Sequence, residues 1–132
     1  MPLSGDIDLL TDLAARVTPY PEALRDGMLR HLWQVDFLLD AAGKGAKAAD
    51  TAFVALCAAT AAMLVAHGWH AVAGQWVTNE KGLIPNVARL PIDTLGFAAD
   101  ASAVLGSLGT TASELAASIA AVRAVPRPGR HG

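Results

Sequence analysis

The sequence predicts an all-α fold, a compact antiparallel bundle of about five helices. Apolar residues recur at helical spacing, and no segment shows the sustained alternation of β-branched residues that a strand requires. Apolar residues make up 53% and charged residues 17% of the 132 positions. This composition suits one packed core and excludes a disordered chain. We expect a single domain over 1–125 and a disordered tail over 126–132, where Pro126, Pro128 and Gly129 interrupt the arginines.

Two amphipathic helices are expected in the first third of the chain. Apolar residues at helical spacing predict the first over Asp6–Val17. Pro19 ends that pattern, and the second helix is predicted over Pro21–Ala42, because proline suits a first helical turn. The glycines of the following GKGAK stretch predict its exit.

The third helix is predicted over Thr51–Ala73, with Asp50 as its N-cap. No Asp, Glu, Lys or Arg occurs between Thr51 and Thr78, a length that could span a bilayer. Much of this stretch is alanine, and His67 and His70 interrupt its second half. We therefore predict a buried core helix and no membrane association.

Glycines and prolines divide the remainder of the chain. Gly82 and Pro85 are expected to end the preceding segment, and a short turn is predicted over Asn86–Leu90. Pro91 and Asp93 then open a helix that runs to Leu105, and Gly106 and Gly109 break it. Thr111 and Glu114 have the spacing of a capping box, which predicts a last helix that ends near Val125.

Composition and motifs exclude several classes of function. Ten basic residues against 12 acidic ones give a net charge of −2, which argues against nucleic-acid binding. The single cysteine, Cys57, permits no internal disulfide and no cysteine-built zinc site, and its apolar surroundings predict a core position. The motifs of P-loop, dinucleotide-binding, zinc-protease and serine-hydrolase sites are absent.

Histidines offer the only metal-like pattern. His67 and His70 lie three residues apart and would share a helix face, but no acidic residue on that helix completes a ligand set. We expect a packed pair rather than a metal site, and no cofactor. The first ten residues carry two acids and no basic region, so they do not resemble a secretory signal, and a cytoplasmic location is expected.

The stretch HAVAGQWVTNEKGLIP is the most distinctive in the chain. Trp76 offers a flat face for a ring, and Asn79 adds an amide. Glu80 could act as a base or accept hydrogen bonds from a sugar or amine, and Lys81 could neutralise a phosphate. The alternative is a loop whose charges cap a helix end and face water.

Three runs, PYPEALRDGMLRHLWQVDFLLDAA, AADTAFVALCAATAAML and WVTNEKGLIP, occur in this order, and the resemblance that they carry covers Pro19–Ala121. They resemble the helical carboxy-terminal half of bacterial nucleotidyltransferases of the minimal, aminoglycoside-modifying type, and WVTNEKG is the most specific motif. In that family a separate α/β domain carries a Gly-Ser turn and the metal-binding acids, which this sequence lacks.

The resemblance implies a helical acceptor-binding or dimerisation domain that is not catalytic alone. It implies a nucleotidyltransferase domain or chain as partner, a homo-oligomer and a small-molecule acceptor. The ligand-binding residues that it implies are Trp33, Asp36, Trp76, Asn79, Glu80 and Lys81.

Two other functions are open at this point. Arg25 and His31, six residues apart, resemble the arginine–histidine pair of the helical ribonucleases called HEPN domains, where histidine serves acid–base catalysis and arginine steadies a phosphate. The alanine-rich helix faces equally suit a purely structural interaction protein without a ligand.

Overall fold

The computed structural model describes residues 22–77 and 81–128. These residues form helices and no strand, which confirms the all-α prediction. The predicted first helix, Asp6–Val17, lies outside the described residues. The helices are α1 Glu22–Arg30, α2 Trp33–Lys47, α3 Thr51–Ala73, α4 Leu83–Val87, α5 Phe97–Leu105 and α6 Ala112–Ala124.

Helix α3 is the centre of the bundle and packs against each of the other five helices. Its bounds match the prediction, and the Asp50 carboxylate accepts a hydrogen bond of 3.1 Å from the Phe53 amide, which confirms the N-cap. Among the described helices, α3 alone is long and apolar enough to cross a membrane. A core helix of a folded domain meets the same criterion, and α3 packs against each of the other described helices.

The predicted second helix is two helices, separated at His31 and Leu32. The amides of both residues bond to carbonyls three positions back, at 3.2 and 3.1 Å, so the α-helical register is lost there. The break lets Leu32 pack against α3 at Gly68, where even a Cβ would lie only 3.3 Å from a Leu32 methyl. A tertiary contact therefore decides this break.

Helix α2 also continues past the exit predicted at Ala42 and ends at Lys47. The predicted exit was wrong because Gly45 does not end the helix but allows α2 to pack closely against Phe53 of α3. A Cβ at Gly45 would lie 2.7 Å from the Phe53 ring. Gly45 near the end of α2 meets Phe53 at the start of α3, and Leu32, just before α2, meets Gly68 in the second half of α3. The two helices therefore run antiparallel.

The connection between α3 and α5 differs from the prediction in two places. The expected turn over Asn86–Leu90 is partly replaced by α4, whose first turn accepts Pro85 because no intrahelical donor is needed there. Helix α5 begins at Phe97 rather than near Pro91. The Asp93 carboxylate accepts from the Leu95 amide at 2.9 Å, and this Asx turn delays the helix.

Helix α6 begins with the predicted capping box. The Glu114 amide donates to the Thr111 hydroxyl at 3.1 Å, and the Glu114 carboxylate accepts from the Thr111 amide at 3.1 Å. Gly109 precedes the box with φ of 94°, a conformation that glycine adopts without strain.

The segment after α6 is packed where a disordered tail was expected. Arg127 is buried, and the Pro126 carbonyl accepts a hydrogen bond of 3.0 Å from the Trp69 indole. Pro128 covers Gly68, where a Cβ would lie 3.1 Å from its ring. For 126–128 the expectation was therefore wrong, and 129–132 lie outside the described residues.

Candidate ligand-binding site

A polar cavity of about 190 Å³ lies at the carboxyl end of α3. It lies between this end of α3 and the short helix α4, which packs against α3. The described residues that line it are His70, Trp76, Val77, Lys81, Gly82, Leu83, Asn86 and Arg89. We call this space the α3–α4 cavity.

The path of the chain follows from Gly74, which ends α3 in the left-handed conformation with φ of 71°. The Gln75 amide then bonds back to the His70 carbonyl at 2.9 Å, which closes the helix end. This turn places Trp76 on the cavity wall, with 38% of the residue exposed.

A histidine–asparagine pair forms the inner wall. His70 is only 2% exposed, and its Nδ1 lies 2.8 Å from the Ala66 carbonyl oxygen, to which it donates. Its Nε2 therefore accepts from the Asn86 side-chain amide at 3.0 Å. The Asn86 Oδ1 consequently points away from His70, and no described residue donates to it.

The charged residues of the wall are cationic. Lys81 precedes α4 and Arg89 follows it, so the short helix places both on the same cavity. The described lining residues include no carboxylate. The Arg89 side chain forms no hydrogen bond or ion pair within 22–77 and 81–128. The described part of the wall therefore combines two cationic side chains with hydrogen-bonding groups and one aromatic ring.

The predicted site residues divide into three groups. Trp76 and Lys81 line the α3–α4 cavity, whereas Asn79 and Glu80 lie outside the described residues. Trp33 and Asp36 do not line the cavity. Trp33 is 64% exposed on α2 and meets the Phe37 ring edge-on, with centroids 6.4 Å apart.

Asp36 belongs to a cluster of charges that joins α2 to α6, which we call the Asp36 cluster (Asp36, Asp40, Arg123 and Arg127). Arg127 approaches Asp36 with two nitrogens at 2.9 and 3.1 Å, in a bidentate pair. Arg123 bridges Asp36 at 3.1 Å and Asp40 at 2.9 Å. The Arg127 side chain is only 5% exposed, so these ion pairs have a structural role.

Sequence reasoning missed His70, Asn86 and Arg89 as site residues. Sixteen residues separate His70 from Asn86, and only the return of the chain through α4 brings them together. The available signal was the cluster of polar residues after Pro85, next to the distinctive motif. The sequence predicts a turn there, and a turn prediction does not show which side chains face a cavity.

His67 and His70 line different cavities, so they form no common site. His67 faces an apolar cavity of about 230 Å³ between α1 and α3, together with Met28, His31, Leu32 and Leu64. The part of the chain that the structure describes contains no group of three or more residues suited to hold a metal ion. Cys57 is buried, and burial raises the pKa of its thiol, as fits a core residue.

The ribonuclease-like pair shows no mutual contact in the described segments. Arg25 lies 3.6 Å from Glu22 and 3.7 Å from Asp26, within its own helix. His31 Nδ1 donates to the Gly27 carbonyl at 2.8 Å, at the point where α1 ends. Both side chains therefore have local roles at α1.

Comparison of the chain with protein-family models, with curated proteins and with solved structures finds no match.

Proposed function

We propose that this chain is a helical domain that binds a small-molecule acceptor in the α3–α4 cavity and completes a nucleotidyltransferase formed with another chain. The observation that supports this function is the cavity itself. There Trp76 and Lys81 of the family-like WVTNEKG motif line the same cavity as the buried His70 and its hydrogen-bond partner Asn86. Concave sites with a few convergent polar groups are the usual ligand sites of proteins.

The proposed domain is not catalytic alone. Nucleotidyl transfer uses clustered carboxylates to hold metal ions against the phosphates, and the described cavity wall has none. The His70 ring is also committed, since Nδ1 donates to Ala66 and Nε2 accepts from Asn86. In this proposal the partner chain supplies the catalytic groups in the cytoplasm, and this chain positions the acceptor.

The exposed Trp33–Phe37 pair on α2 is the surface that we propose for contact with the partner or a second copy. Its two rings are 64% and 66% exposed, and aromatic residues are enriched in protein interfaces. Asp36, between them in sequence, instead accepts hydrogen bonds from Arg123 of α6 and from Arg127. In this arrangement Trp33 serves assembly rather than the acceptor.

Native mass spectrometry of the chain purified from its own host tests the proposal. We expect a second chain of nucleotidyltransferase type in the complex, and we expect Trp33→Ala to remove it. Leu56→Ala is the matched control, because Leu56 is an equally exposed apolar residue at 66% on another helix. A chain that is monomeric in its host, with no partner and no bound small molecule, would contradict the proposal in favour of a purely structural protein.

A further inference from the structure

We propose that the α3–α4 cavity selects an anionic ligand, an oxyanion attached to a flat ring, rather than a cationic amine. This inference rests on the proposed acceptor-binding function and adds the chemical class of the acceptor. It follows from three groups of the cavity wall: the cations on either side of α4, the Trp76 ring and the Asn86 Oδ1, to which no described residue donates.

Arg89 is the main anion-binding group. It lies two residues after α4, on the cavity wall, and no carboxylate pairs with it among the described residues. Arg123, by contrast, bonds to both Asp36 and Asp40. A guanidinium matches a phosphate or carboxylate with two parallel hydrogen bonds. Lys81 adds a second positive charge to the same cavity.

Trp76 provides the surface for the ring of the ligand. Its indole is partly exposed beside Val77 on the cavity wall, so one face of a planar group can be covered. Aromatic stacking of this kind tolerates many rings, because it depends on a flat face rather than on a pattern of hydrogen bonds. The wall therefore combines an anion site with a ring site.

Asn86 adds a directional contact. Because its amide nitrogen donates to His70, its Oδ1 is left to accept from an N–H or O–H group of the ligand. His70 is thus a positioning residue, because its ring fixes the orientation of the Asn86 amide. A polycationic amine could donate to this oxygen, but it would also face Arg89, and like charges in one site oppose binding.

Isothermal titration calorimetry on the full chain tests the ligand class with four probes. Adenosine monophosphate and 4-aminobenzoate carry a ring with a phosphate or a carboxylate, adenosine carries the ring alone, and spermidine is the polyamine. We expect one or both ring anions to bind more tightly than adenosine, and spermidine not to bind. Which of the two binds more tightly distinguishes a phosphate from a carboxylate source.

Arg89→Ala is expected to weaken anion binding about tenfold or more, because it removes a charge-assisted bidentate contact. Arg30→Ala is the matched control, since Arg30 is an exposed arginine on α1 that does not line the cavity. Circular dichroism verifies that both variants are folded.

Tighter binding of spermidine than of either anion would overturn the inference while leaving an acceptor site in place. Equal losses in Arg89→Ala and Arg30→Ala, or no anion binding at millimolar concentration, would overturn it as well. The partner chain found or missed by native mass spectrometry is an independent result, so failure of the proposed assembly remains distinguishable from failure of the anion site.

Discussion

The Asp36 cluster and the α3–α4 cavity each contain two cationic side chains, but they differ in what those cations face. In the cluster, Arg123 and Arg127 meet two aspartates at 2.9 to 3.1 Å. In the cavity, Lys81 and Arg89 share a wall that has no carboxylate among its described residues. Arg127 is paired within the chain and serves the fold, whereas the Arg89 side chain has no ion-pair partner among the described residues and is the basis of the proposed ligand site.

The largest expected effect comes from Asp36→Ala. The substitution leaves the buried Arg127 guanidinium without its carboxylate, and an unpaired buried charge is strongly destabilising. Because the Asp36 side chain itself is 45% exposed, we expect a loss at the lower end of the range for such pairs, about 3 kcal/mol in the free energy of unfolding. Urea unfolding followed by circular dichroism measures it.

Asp40→Ala is the control for that measurement. Asp40 bonds only to Arg123 in the described part of the chain, and its side chain is 75% exposed. Exposed ion pairs contribute about 1 kcal/mol or less. Equal losses in the free energy of unfolding for the two variants would show that the burial of Arg127 does not make its ion pair more important than an exposed one.

Asn86→Ala is expected to affect both the stability of the fold and ligand binding in the cavity. The substitution removes the donor to the buried His70 Nε2, which costs about 1–2 kcal/mol when a buried acceptor is left unsatisfied. We expect this destabilisation in thermal unfolding, together with weaker anion binding. A variant of unchanged stability would mean that water replaces the asparagine and that the His70–Asn86 bond does not hold the wall.

Glu114 tests whether hydrogen bonds to an exposed carboxylate contribute to the stability of the fold. Hydrogen bonds from the Thr110 amide, the Thr111 amide and the Thr111 hydroxyl lower the pKa of its exposed carboxyl below 4.5. Since the folded-state pKa lies below the unfolded one, the stabilisation is present above about pH 4.5 and is lost as the pH falls through the folded-state pKa.

Urea unfolding at a series of acidic pH values follows this loss. Glu114→Gln is expected to make stability less dependent on pH below 4.5. If the variant and the original chain show the same dependence of stability on pH, Glu114 does not contribute to that dependence.

The smallest expected effect on stability is that of Arg89→Ala. Its side chain has no ion-pair partner in the described residues. We therefore expect the free energy of unfolding, measured with urea, to change by no more than about 0.5 kcal/mol. A loss as large as that of Asp36→Ala would show that Arg89 is structural, and the contrast between the two regions would disappear.

The sequence is sufficient to locate α3 and α6, because each begins with a capping side chain, Asp50 or Thr111, and continues into an apolar run. It does not reveal the break before α2, since that break depends on contact between Leu32 and Gly68. Local signals act within one or two helical turns, whereas this contact joins two helices.

The candidate site was predictable only in part, for a similar reason. Trp76 and Lys81 belong to the distinctive WVTNEKG motif, and both line the cavity. Asn86 acquires its role from His70, and Arg127 from Asp36, a partner 91 positions earlier. Such pairings depend on how helices cross, which a single sequence does not encode in any short pattern.

The hydrogen bond from the Trp69 indole to Pro126 has a consequence for the order in which the chain matures. Trp69 lies on the central helix, yet its acceptor follows 57 residues later. During synthesis the amino-terminal part emerges first, so α3 can pack against α1 and α2 well before Pro126 leaves the ribosome. In that nascent bundle the Pro126 acceptor is still absent, so residues made later complete the environment of a helix formed earlier.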